Sequence, residues 1–109
     1  MSLADAVISL ALLVKGLSDD AQDNVGMCKS LGNRAALIPR LLEQFPHIAE
    51  LDDKFLITLF EALKDSRDLI AEYGKKGKMG RFFQASGMKK KFHDLDVLIG
   101  QCVGKCTVN

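Results

Sequence analysis

Residues 3–17 read LADAVISLALLVKGL, and the spacing of their apolar side chains decides the fold class. Leu3, Val7, Leu10, Val14 and Leu17 recur at steps of four and three, which puts them on one stripe of a 3.6-residue helix, whereas a strand would alternate every second residue. Ile8, Leu12 and Leu13 carry apolar character around most of the circumference, so this helix is expected to be buried on nearly every side. Ser2 followed by Asp5 fits a capping box, with the hydroxyl on an early amide and the carboxylate reaching back, and sets the start at about Leu3.

Working outward, the turn that follows has two readings. Ser18-Asp19-Asp20 forms a possible new N-cap, while Asp23-Asn24 followed by Gly26 marks a later break. A second helix carries Met27, Leu31, Ala35, Ile38 and Leu42 until Phe45-Pro46 stops it. Pro39 lies inside this run, where the missing N–H and the ring clash cost about 3 kcal/mol, so a kink or a break near Ile38 is expected. Glu50, Asp52 and Asp53 suit the positive end of a third helix, whose core face is Phe55, Leu59, Leu63, Ile70 and Tyr73 and whose natural stop is Gly74. Residues 74–87 read as irregular, with a short helical turn over 81–86. The fourth helix alternates Met88, Phe92, Leu95, Ile99, Cys102 and Cys106 by four and three as a packing seam requires. Gly100 and Gly104 lie within it at a spacing that permits close helix approach, read here as a contact within the bundle. Four apolar stripes can be buried only against one another. The expectation is an all-α, single-domain four-helix bundle over residues 1–109, with a short extra helical turn in the connection between the third and fourth helices.

Composition narrows the function. At 109 residues and 48% hydrophobic content the chain can build one core, and its formal charge of +1 supplies no global field for nucleic acid or membrane. Three cysteines do not make a disulfide framework and read as buried thiols in a reducing compartment. Residues 6–14 are uncharged like a signal-peptide core, but Asp5 stands where a basic residue belongs, and the run is far short of the roughly 20 apolar residues that span a bilayer. No Gly-rich phosphate loop follows a strand, no Ser-His-Asp order is evident and no carboxylate pair has a histidine partner, so the chain is not read as an enzyme. His93, Cys102 and Cys106 come nearest to a metal-ligand set. The two cysteines fall on the hydrophobic seam, so no metal and no cofactor is expected.

Two features remain. Lys75, Lys76, Lys78, Arg81, Lys89, Lys90 and Lys91 gather seven of the fifteen basic residues into seventeen positions without one acid, interleaved with Phe82, Phe83 and Met88. Each cation near an anionic membrane contributes about 1 kcal/mol, so three or four would give reversible binding. A solvated loop with its phenylalanines tucked into the bundle is the other reading; nucleic acid lacks any recognised motif. The first helix, for its part, is either the most buried element of the bundle or a helix held at rest and released into a bilayer. Its fifteen residues rise about 22 Å, short of a hydrocarbon core of about 30 Å. Insertion would be shallow or would recruit Asp19, Asp20 and Asp23, which with Asp5 are candidates for acidic rings in an oligomer.

The motifs Cys28-Lys29-Ser30-Leu31-Gly32-Asn33-Arg34, Arg81-Phe82-Phe83-Gln84-Ala85-Ser86 and Lys91-Phe92-His93-Asp94-Leu95 resemble the N-terminal four-helix bundle of mixed lineage kinase domain-like pseudokinases and related HeLo-like domains. The resemblance implies an executioner domain of regulated cell death that oligomerises, binds anionic lipid and permeabilises membranes. It places lipid contacts on basic residues of the first two helices, matched here by Lys15, Lys29 and Arg34. Since Asp19, Asp20 and Asp23 occupy the connecting region, local charge moves the expected lipid face to the Lys75–Lys91 cluster. Ala4-Asp5-Ala6-Val7-Ile8-Ser9-Leu10 also resembles the MADA motif that opens plant immune-receptor coiled-coil domains, and implies a membrane-acting first helix.

The expected function is therefore a membrane-targeting, oligomerising signalling domain in cell death or innate immunity. Its partners would be an anionic phospholipid membrane, further copies of itself and the regulatory domains of a longer parent protein, without nucleic acid. It would be cytoplasmic at rest and move to the plasma membrane on activation. The alternative is a helical adaptor that binds partner helices and never touches lipid.

Overall fold

The computed structural model describes residues 3–21, 26–44, 53–75 and 77–108, and the side chains of these apart from 74, 75, 77–86, 88, 89 and 105–108. Four helices result: α1 (Leu3–Asp20), α2 (Met27–Gln44), α3 (Asp53–Lys75) and α4 (Gly77–Val108). Among the described residues there is no strand.

Side-chain pairs give the directions. Lys15 and Ser18 of α1 lie against Asn33 and Gly32 of α2, so these helices run antiparallel. Leu69 is beside Leu95 and Tyr73 beside Phe92, so α3 and α4 are antiparallel as well. Between the two hairpins, Ser30 meets Asp96, Arg34 reaches Gly100 and Ile38 adjoins Cys102. These numbers climb together, so α2 and α4 are parallel. It follows that α1 runs parallel to α3, which it also packs against, while α2 and α3 face each other across the diagonal. The bundle measures 46 × 24 × 18 Å.

The core takes the predicted stripes almost intact. Val7, Leu10, Ala11 and Val14 meet Cys28, Leu31, Ala35, Ile38 and Leu42 on one side and the α3 residues Leu56, Leu59, Leu63 and Ile70 on the other. Phe92, Ile99 and Cys102 close it from α4, and the Phe92 ring stands edge-on to Tyr73 at 5.7 Å. At about 1.5–3 kcal/mol per fully buried large side chain, this cluster is the main term opposing chain entropy. A small cleft lined by Ile38, Phe55, Leu59 and Cys102 holds only about 10 Å³, near the size of a single water. Two serines are buried, and each satisfies its hydroxyl locally: Ser18 donates to the Lys15 carbonyl at 2.8 Å and Ser66 to the Ala62 carbonyl at 2.7 Å. Gly32 lets α1 and α2 come together, since a Cβ there would run into the Ser18 side chain.

Several expectations change. Ser18 does not cap a new helix, because α1 continues to Asp20; Gly26, at φ +77°, precedes α2 and accepts its first hydrogen bond, from the Ser30 amide at 2.9 Å. Pro39 does not break α2, which runs unbroken to Gln44 with neighbours Ile38 and Leu42 anchored in the core; tertiary burial outweighs the lost bond. The segment over 77–87 is not irregular with one short turn but forms the first third of α4, and α3 extends past Gly74 to Lys75. Glycine disfavours a helix by only about 1 kcal/mol per residue, which flanking helix formers such as Lys, Gln, Ala and Met can offset. Nor is α1 buried on nearly every side: Leu12 and Leu13 are 57% and 47% exposed, because among the described residues α1 packs chiefly against α2 and α3. Met88, Cys106 and the caps at Ser2, Glu50 and Asp52 lie outside what is described.

Candidate lipid-binding surface

The basic stretch begins where α3 ends and continues into α4. Lys75 closes α3, Lys76 lies outside the described residues, and Lys78, Arg81, Lys89, Lys90 and Lys91 belong to α4. The segment expected as a loop is therefore helical over 77–87. Side chains are described for two of them, Lys90 and Lys91, and both are exposed. The first turn of α4 contains no acid, and its N-terminus is the positive end of the helix dipole.

Lys91 also lines an open groove of about 330 Å³ between α3 and α4, with Asp65, Asp68 and Glu72 along its rim and Leu69 and Leu95 in its floor. Lys91 thus lies beside carboxylates of α3. Sequence reading missed this groove, because the carboxylates lie on α3 and only packing brings them beside Lys91.

The basic residues of the first two helices divide. Lys29 is exposed. Lys15 instead pairs with Asp19 at 2.9 Å and donates to Asn33 at 3.0 Å. Arg34 spans the seam to α4, with Nε 2.7 Å from Asp96 Oδ1, while Ser30 Oγ donates to Asp96 Oδ2 at 3.2 Å. Two of the three family-matched cations are therefore already engaged by carboxylates, which the linear sequence does not disclose.

On α1, the expected inserting residues are inward: Val7, Leu10 and Val14 are buried and Leu3 and Leu17 half-buried. The acids point the other way. Asp5, Asp19 and Asp20 are exposed on the face that carries Leu12 and Leu13, and Asp23 lies outside the described residues. No helix, among the described residues, is long and apolar enough to cross a membrane. His93 and Cys102, nine residues apart on α4, fall on opposite sides of the helix, one exposed and one buried, and no metal-holding group of side chains occurs among the described residues. Cys28 and Cys102 are buried and not joined in a disulfide.

The fold defines an all-α four-helix bundle. Compared with protein-family models, curated proteins and solved structures, the chain matched none.

Proposed function

We propose that this bundle is a membrane-acting signalling module of the HeLo-like kind, which binds anionic phospholipid through the cations of residues 75–91, assembles with further copies, and perturbs the bilayer by releasing α1. The observation that carries the reading is the acid-free run of cations in the sequence of the first half of α4, exposed at Lys90 and Lys91. The geometry of α1 supports the release step. Its inner stripe is apolar, its outer face already exposes Leu12 and Leu13, and α4 is not among its close neighbours, so it can leave without disturbing the basic helix. As 18 residues it is about 27 Å long, which suits shallow insertion rather than spanning. In this reading the domain waits in the cytoplasm, joined to regulatory parts of a parent protein, acts at the plasma membrane in cell death or immunity, and performs no catalysis.

A helical adaptor is the second reading, favoured by the open groove between α3 and α4 with its leucine floor and acidic rim. Co-sedimentation with vesicles of neutral lipid, and of the same lipid with anionic lipid added, separates the two. A membrane module pellets with the anionic vesicles alone, and less so as salt rises; an adaptor stays in the supernatant throughout.

A further inference from the structure

The groove between α3 and α4 has an acidic wall along its α3 side. Glu61, Asp65, Asp68 and Glu72 follow one another at steps of four, three and four, so they form one stripe on α3, and all four are exposed. Lys64 and Arg67 fall to one side of this stripe. Asp68 does meet Arg67 at 3.0 Å, but both side chains are well exposed, and ion pairs of that kind hold their members weakly. The last three acids edge an open volume of about 330 Å³ whose floor is Leu69 and Leu95 and whose α4 side carries Lys91. A surface that is apolar at the bottom and acidic along one wall suits a segment presenting cations beside apolar residues.

The chain itself contains such a segment. Residues 75–91 hold seven cations and no acid, interleaved with Phe82, Phe83 and Met88, and Lys90 and Lys91 are exposed. Two copies meet with little overall repulsion, since each carries a formal charge of only +1, so opposite local patches decide how they meet. We propose that the α3–α4 groove of one molecule receives the cationic stretch of a second copy, a resting contact in solution that masks these cations. The contact stands whether or not the chain binds lipid. For the lipid-binding reading it has one consequence: a lysine held by a carboxylate is not available to a phospholipid, so anionic membrane competes with the groove. A small contact dominated by charge is weak, reversible and sensitive to salt.

The test is sedimentation velocity of the full chain at about 0.01 M and about 1 M salt, between which the Debye length falls from about 30 Å to about 3 Å. The parent is expected to associate at low salt and to be monomeric at high salt. Asp65→Lys with Asp68→Lys should weaken association about tenfold or more, as should a second variant with Lys89, Lys90 and Lys91 reversed to Glu. Mixed together, the two variants should regain association, because every groove then faces a stretch of opposite sign. Asp19→Lys with Asp20→Lys, on the outer face of α1, changes net charge as much as the groove variant does and should keep most of the parent's association. Circular dichroism checks that each variant is folded. A parent that stays monomeric at low salt, as a docking module for foreign helices would, overturns the proposal. So does a groove variant that associates like the parent, a mixture that stays monomeric, or an α1 variant that fails as the groove variant does. Co-sedimentation with anionic vesicles is read separately: association in solution without vesicle binding keeps the contact and removes the lipid reading, and vesicle binding by a monomeric parent does the reverse.

Discussion

Gly32 and Gly16 sit on facing helices of one hairpin, and the same substitution should move stability in opposite directions. At Gly16 a methyl group meets nothing within 4 Å. Gly16→Ala then gains only the helical preference of alanine, about 0.5–1 kcal/mol. At Gly32 the new Cβ runs into both the Oγ and the Cβ of Ser18. A hydroxyl can rotate away, but a Cβ moves only with its backbone, so α1 and α2 must separate locally. Overpacking of this kind costs about 1–3 kcal/mol, against which the alanine preference returns about 1. The net expectation is a loss of about 0–2 kcal/mol. For a chain of this size about 4 °C of melting temperature corresponds to each kcal/mol, so circular dichroism melts should show Gly32→Ala up to about 8 °C below the parent and Gly16→Ala about 2–4 °C above it. Ser18→Gly removes the obstructing side chain, so the Ser18→Gly, Gly32→Ala double variant should be more stable than the sum of the single effects. A Gly32→Ala melt raised as far as that of Gly16→Ala would falsify the close α1–α2 approach, and with it the account of why glycine and serine face each other there.

Four further outcomes follow from the packing and the charges. Ile99→Ala, at a fully buried seam position, should lower unfolding free energy by about 2–5 kcal/mol in denaturant titration, and Leu95→Ala, half-buried at the groove, by visibly less; equal effects would show that the phase of α4 is wrong. Reversing Lys89, Lys90 and Lys91 to Glu should weaken sedimentation with anionic vesicles while changing the melt little, because isolated surface charges shift stability by about 0.5 kcal/mol or less; unchanged vesicle binding at low salt would remove these residues from the mechanism. Deleting residues 1–17 should abolish dye leakage from vesicles even where the remaining helices still bind them, and leakage that persists would transfer the bilayer perturbation to other helices. A disulfide engineered between α1 and α2 should silence leakage when oxidised and restore it on reduction; leakage from the oxidised form would end the released-helix mechanism.

Much of this molecule is local physics and could be read from the chain. The steps of four and three through Leu3, Val7, Leu10 and Val14, and through Phe92, Ile99 and Cys102, fixed both the helical class and the buried faces, because a helix places those residues on one side whatever it packs against. What local rules weigh badly is a breaker within a helix that neighbours support. Pro39 and the glycines over 77–87 argued for interruptions, and burial around Ile38 and the flanking helix formers of α4 prevailed. Apolar character around α1 argued for burial on all sides, and only the arrangement of helices left Leu12 and Leu13 outside. The cationic stretch was legible because its members are contiguous. The carboxylates that engage Lys15 and Arg34 were not, and Arg34 and Asp96 are far apart in sequence and meet only because α2 and α4 run side by side in parallel. Charge as composition belongs to the sequence; which charges are already neutralised is decided by packing, since a partner within about 4 Å outweighs any number of distant ones screened by water.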